Sequence, residues 1–153
     1  MTPARDIKHQ IVSSNLHRLI SPFVHQKRLG RLFSAPSEVV LSYVDVVQPD
    51  LYFVSAGRAR IISEKNIQGA PDLVVEIVSE TTRRTDEIVK RKLYEGNGVG
   101  EYWIVDPALE AVKVYRMTDQ GYVRAAELSR EAGDTLMTPL LPEFRIALAE
   151  VFE

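Results

Sequence analysis

Apolar residues fall at Ile7, Ile11, Leu16, Leu19, Ile20 and Phe23, close to the spacing that sets one face of a helix against a core. The pattern predicts an amphipathic helix over 6–28, with Pro22 either kinking it or starting a second helix capped by Ser21. β-Branched and aromatic residues predict strands at 32–33 and 39–47, divided by Ala35-Pro36-Ser37, and another at 51–54 between Pro49-Asp50 and Gly57. Residues 58–68 follow neither period. The run LVVEIV at 73–78 is almost wholly apolar, the mark of a strand buried on both faces. Thr81, Thr82 or Thr85 can cap a helix running to about Glu95, with Asp86 and Glu87 in its first turn and Gly96 or Gly98 ending it. A strand at 102–105 follows, stopped by Asp106-Pro107, and then a hairpin of 112–117 and 122–128 across Asp119-Gln120-Gly121. The apolar tail 139–152 packs back on the sheet. This order predicts a mixed α/β domain in which one helix crosses between core strands.

Composition narrows the class. A chain of 153 residues and 17.3 kDa is one domain, 1–153, without repeats or an internal linker. Hydrophobic residues at 45% and charged residues at 26% exclude wholesale disorder. No apolar run approaches the ~18 residues of a membrane span, and no signal-peptide core follows Met1, so no membrane partner is expected. The absence of Cys excludes disulfides, thiolate metal sites and a Cys nucleophile, in keeping with a cytoplasmic protein. His9, His17 and His25 recur every eight residues, roughly 80° apart around a helix, a spacing that does not gather them into a metal site. His9 alone could approach a ligand near the helix start.

Charge is unevenly spread. Residues 1–31 carry Arg5, Lys8, Arg18, Lys27, Arg28 and Arg31 against Asp6, a net +5 that leaves −7 on the rest of a chain whose total is −2. A second basic cluster, Arg83, Arg84, Lys90, Arg91 and Lys92, lies within the acidic remainder. Such patches can grip a polyanion through its phosphates, or serve only as solvated helix faces.

The informative residues are acids inside strands. Alternation puts Asp72, Val74, Glu76 and Val78 on one face of the apolar strand and Leu73, Val75 and Ile77 on the other. A buried carboxylate needs a partner, since an unpaired buried charge costs several kcal/mol. Either a Lys or Arg supplies it, or a divalent cation does. Asp50 at the neighbouring strand entry could converge with Glu76 and Asp72, and two or three carboxylates with waters are how magnesium is held. Lys90 lies with Asp86 and Tyr94 on one helix face at i, i+4, i+8, and reaches Glu76 if that helix packs beside the strand. The bland reading of each is a turn signal, a buried ion pair and a surface Asp86–Lys90 pair. Trp103 is expected in the core.

The segment GAPDLVVEIVSETTRRTDEIVKRKLYEGNGVGEYWIVDP at 69–107 resembles the signature of the Uma-two family of endonucleases, part of the PD-(D/E)XK nuclease superfamily. The likeness extends to VVQPDLYFV at 46–54, to the helix start at His9 and to TPLLPEF at 138–144. It implies a restriction-endonuclease-like mixed β-sheet flanked by helices, here with an additional C-terminal β-hairpin. Pro49-Asp50 matches the first acidic motif, and Glu76 the acid that a lysine normally follows two residues later. Val78 stands at that place, while the family's recurring helix lysine matches Lys90. Asp72 matches a further recurring acid, and the family's segment ahead of the first helix has no counterpart before Met1.

The resemblance implies a magnesium-dependent endonuclease, with manganese as a substitute, cleaving nucleic acid and by analogy DNA. Asp50, Glu76 and the backbone carbonyl of Ile77 would hold the metal, with Asp50, Glu76 and Lys90 as the catalytic set. Asp72, Tyr94 and His9 would support them, and Arg83 and Arg84 would track backbone phosphates. A homodimer is expected, because so small a domain has few other ways to engage both strands of a duplex. The rival is a nucleic-acid-binding or assembly module that keeps the fold without the chemistry, favoured by Val78 and the negative net charge.

Overall fold

In the computed structural model, which describes residues 6–153, Asp6 caps the first helix by accepting the His9 amide at 2.8 Å. Arg5 lies outside the described residues. Helix α1, Ile7–Gln26, is continuous and contains Pro22. Its buried stripe is His9, Val12, Leu16, Ile20 and Val24, so the face is rotated from the expected one. Ile7 and Ile11 are 73% and 46% exposed, whereas Leu19 and Phe23 pack at the stripe's margin. The chain then turns through Arg28 in the left-handed region and Gly30, where a Cβ would lie 2.1 Å from the Val54 carbonyl oxygen. Only glycine lets the first strand come so close to its neighbour.

The strands are β1 (Gly30–Ser34), β2 (Val39–Val40), β3 (Val46–Val47), β4 (Leu51–Ser55), β5 (Ile67–Gln68) and β6 (Leu73–Ile77), then β7 (Glu101–Asp106), β8 (Ala111–Thr118), β9 (Gly121–Ser129), β10 (Thr135–Leu136) and β11 (Ile146–Ala147). Six form the main sheet in the order β1-β4-β6-β7-β8-β9. β6 and β7 pair in parallel and every other pair in this sheet is antiparallel. The parallel pair requires a crossover, and the helical segment Arg83–Gly96 provides it: α2 (Arg83–Thr85), a π turn (Asp86–Lys90) and α3 (Arg91–Gly96). The expected C-terminal hairpin is β8–β9, which widens the sheet and reverses at Gly121 with φ 96°.

One expected strand is corrected. Residues 39–47 do not run straight but fold into the β2–β3 hairpin, because Ser42 and Asp45 lock a turn between them. The Ser42 hydroxyl donates to Asp45 Oδ2 at 3.1 Å, and the Leu41 amide to the Asp45 carbonyl at 2.8 Å. The ambiguous stretch becomes a 3-10 turn, Ala56–Ile61, followed by β5, which pairs in parallel with β2.

Two cores line the main sheet. On one face α1 packs with the C-terminal segment and short helix α4 (Leu148–Val151) over Leu73, Val75, Ile77 and Trp103. On the other, Tyr94 of α3 covers Val74, Val78, Tyr102 and Ile104. The alternation read along 73–78 is therefore the partition between the cores. No helix among the described residues is long and apolar enough to cross a membrane.

Glu101, buried at the start of β7, ties the sheet to the C-terminal segment. It accepts from Trp103 Nε1 at 2.7 Å, Arg116 Nε at 3.2 Å and Thr138 Oγ1 at 2.9 Å. Glu101→Ala strands all three donors and is expected to cost about 3 kcal/mol, read from the urea midpoint. A shift under ~1 kcal/mol would mean that water replaces the carboxylate.

Candidate active site

Glu76 is the one acid among five buried residues of β6, and only 3% of it is exposed. Antiparallel pairing of β4 with β6 sets Leu51 opposite Val75, which brings Asp50, one residue earlier, beside Glu76. The two acids are stitched through the backbone: the Asp50 amide donates to Glu76 Oε1 at 3.2 Å, and the Ile77 amide to Asp50 Oδ2 at 2.8 Å. His9 Nε2 of α1 faces Asp50 Oδ1 at 3.2 Å. His9 is thus buried at the site.

The crossover helix supplies the opposite wall. Tyr94 Oη donates to Glu76 Oε2 at 2.8 Å, and Lys90 Nζ lies 3.2 Å from the same oxygen. Lys90 Nζ also lies 2.8 Å from Asp86 Oδ1, whose side chain is buried. The π turn carries both Asp86 and Lys90, and the Tyr102 hydroxyl fastens it by donating to the Asp86 carbonyl at 2.9 Å. Wide turns of this kind recur at functional sites because they re-aim side chains within an otherwise regular helix.

Electrostatics follow from this crowding. Burial pushes the Glu76 carboxyl up to about 7, Lys90 pulls it down, and Asp50 and Asp86 push it up again. Burial works against the charge on Lys90, yet Glu76 and Asp86 leave its pKa raised. Burial and the Glu76 charge hold the Tyr94 hydroxyl far above its ordinary value, so it donates to Glu76 and does not ionise.

Asp72 does not join this group. It sits before the far end of β6, accepting the Ser55 amide at 2.7 Å and facing Arg58 at 3.5 Å. Four residue steps along the extended chain set it about 13 Å from Glu76. Asp86 stands where the third acid was expected; its signal in the sequence was the i, i+4 relation to Lys90. Ile77 meets the site through its amide. Arg83 is committed to Asp106 by a fork, Nε to Oδ2 at 2.5 Å and Nη2 to Oδ1 at 3.2 Å, a partner that sequence spacing does not reveal. Arg84 remains exposed. If nucleic acid passes this helix, Arg84→Ala should lower the slope of log K against log salt by about one, and Arg83→Ala should instead lower stability. An unchanged slope in Arg84→Ala would make that residue a solvated helix end.

Asp50 and Glu76 suit a hard divalent cation. Both are oxygen donors on adjacent strands, the ligand type that such a cation prefers. Among the described residues no group of three or more His, Asp or Glu side chains is placed to hold a metal ion. From Asp50 a cleft of about 870 Å³ opens along α1.

Comparison with known proteins assigns the chain to a family. Residues 1–149 match the family model described as "Uma2: Putative restriction endonuclease". Among solved structures, the fold is similar to that of "a putative nuclease belonging to DUF820" from Anabaena variabilis, with a TM-score of 0.79 and 21% identity, covering 99% of this chain and 84% of the other. No curated protein matches in sequence. The family model spans almost the whole of this chain and the expected mixed sheet is in place: the chain belongs to the Uma2 family.

Proposed function

We propose that the protein is a divalent-cation-dependent endonuclease that hydrolyses phosphodiester bonds of nucleic acid, with DNA as its substrate and magnesium or manganese as its metal. One observation carries the reading: the Lys90 ammonium lies 3.2 Å from Glu76, reaching the acid pair from the helix although Val78 stands where the superfamily's lysine would be. That position supplies a cation where Val78 cannot, which supports the catalytic reading over an inactive module.

Asp50 and Glu76 would hold the cation, joined by the Ile77 carbonyl. When bound, the cation supplies Lewis acidity toward a phosphoryl oxygen and makes water a better nucleophile. Water adds to phosphorus, the bond from phosphorus to the leaving sugar oxygen breaks, and that oxygen takes up a proton. Lys90 acts here as a fixed positive charge beside the phosphoryl oxygens, where negative charge builds in the transition state. Asp86 gives the Lys90 ammonium a second carboxylate partner, and Tyr94 fixes the Glu76 carboxylate in its rotamer. His9 orients Asp50 from the other side.

Plasmid and oligonucleotide cleavage with magnesium or manganese, set against EDTA, tests the proposal. Cleavage that EDTA abolishes is expected. Intact substrates under every condition would favour the binding or assembly module.

A further inference from the structure

We propose that the far end of α1 forms a second binding site, a pocket for a small organic acid with an apolar body and a carboxylate or phosphate head. The pocket has a volume of about 500 Å³, within the range of small-molecule sites. It lies between the last turns of α1, strand β1 and the 3-10 turn Ala56–Ile61. His25 in its wall and His9 at the acid pair stand about 24 Å apart along the helix axis, so the pocket is separate from the acid–lysine site.

Three observations select the ligand. Part of the lining is apolar, made of Val24, Leu32, Val54 and Ile62, of which Val24 and Val54 are buried. A bare anion would leave that surface wet, so an apolar body is needed to cover it. The second observation is charge. Arg28, Arg31 and His25 line the exposed side, and no carboxylate lines the pocket. Asp72, which accepts the amide of the lining residue Ser55, is already faced by Arg58. Arg58, Arg83, Arg116, Arg124 and Arg130 each have a carboxylate partner, whereas Arg28 and Arg31 have none among the described residues. Two unpaired guanidiniums beside one cavity suit a single anionic head, since each presents a planar fork that matches carboxylate or phosphate. The third is strain. α1 ends in a Schellman motif, in which the Leu29 amide donates to the Val24 carbonyl at 3.0 Å and the Arg28 amide to the His25 carbonyl at 3.2 Å. That motif puts Arg28 in the left-handed region, φ 54°, where glycine fits best. The helix dipole favours a cation at this end, yet Lys27 supplies one from an ordinary right-handed backbone. The chain thus keeps a guanidinium at the pocket at a cost to the fold. An amphipathic organic acid meets these demands together: inorganic phosphate lacks the body, and an uncharged apolar molecule lacks the head.

Titration with anilinonaphthalene sulfonate, an apolar ring system with an anionic head that fluoresces when bound, tests the pocket. One dye molecule should bind per folded chain. Octanoate or octyl phosphate, below its micellar concentration, should displace it, whereas octanol and inorganic phosphate should not. Whichever acid displaces better identifies the head. Arg28→Gly and Arg31→Ala should each weaken dye binding about tenfold, while Arg145→Ala, an exposed cation outside the pocket, should not. Arg28→Gly should also melt about 2–4 °C above wild type without ligand, because glycine removes the left-handed strain. Weaker binding by a more stable protein separates loss of the site from loss of the fold. No dye binding, dye that neither acid displaces, or displacement by octanol or inorganic phosphate as good as by the acids would overturn the pocket. Equal dye affinity in wild type and the two pocket variants, or an equal loss in Arg145→Ala, would overturn it too. A lower melt in Arg28→Gly would make that arginine part of the fold and overturn its assignment to a ligand. None of these outcomes bears on cleavage at the acid pair.

Discussion

Lys90→Ala is expected to slow phosphodiester cleavage by about 10²–10³-fold, the usual effect of removing one group that stabilises transition-state charge. Lys92→Ala, two residues on and exposed, should cleave like wild type. The ammonium also neutralises two buried acids, Glu76 and Asp86, so its loss should lower stability as well as rate. The two effects separate in the melts: magnesium should stabilise Lys90→Ala at least as much as wild type, because the carboxylates that bind the cation remain and are freed of a competing charge. Activity can then be compared under magnesium at a temperature where both proteins are folded. Equal cleavage by Lys90→Ala and wild type would remove the helix lysine from the mechanism.

Glu76→Gln should abolish both cleavage and stabilisation by magnesium, and it should also change how stability depends on pH. The folded-state pKa of Glu76, about 7, lies above the ordinary 4.5, so the folded protein holds this proton more tightly than the unfolded chain does. The associated stability is fully present below the unfolded value and is lost as pH rises through about 7. In EDTA, wild type should therefore lose on the order of 1 kcal/mol between about pH 6 and pH 8.5. The informative quantity is the difference between wild type and Glu76→Gln across this window. Asp86 still pairs with Lys90 in the variant, so the lysine is not stranded. Parallel pH profiles for the two proteins would show that Glu76 is ionised throughout, as a plain ion pair with Lys90 requires.

Much of this site was legible because its parts obey short-range periods. An apolar run interrupted by one acid located Glu76, and the i, i+4, i+8 spacing of Asp86, Lys90 and Tyr94 located the wall facing it. Alternation failed for Asp72 in an instructive way. Period two reports which face of a strand a residue occupies, not how far along it lies, so Asp72 and Glu76 share a face without sharing a site. The rotation of α1 was hidden because Ile7 and Ile11 look like core residues, whereas His9 is the residue buried in that turn, opposite an acid from a distant strand. The Arg83–Asp106 fork and the Glu101 hub depend on tertiary contacts that no local pattern encodes. The π turn has no sequence signature of its own, and it becomes visible only once Tyr102 is seen to hold the Asp86 carbonyl.

The crossover between β6 and β7 makes the halves of the site unequal in durability. Glu76, Asp86, Lys90, Tyr94 and Tyr102 all belong to one strand–helix–strand unit, and the Tyr94–Glu76 contact spans 18 residues. Asp50 joins across 27 residues to Ile77, and His9 arrives only when α1 docks. Chain segments that open as cooperative units expose their amides to exchange together, and helix ends with exposed apolar residues open most readily. The first turn of α1, with Ile7 bare to solvent, is such an end. Its fraying would release His9 from Asp50 and unmake one end of the cleft, while the ammonium stayed on Glu76. In hydrogen-exchange terms, the amides of the acid–lysine half should outlast those of the α1 half. The site is thus built of one part that persists and another that comes and goes with a helix end, so local opening there would act on the Asp50 side alone.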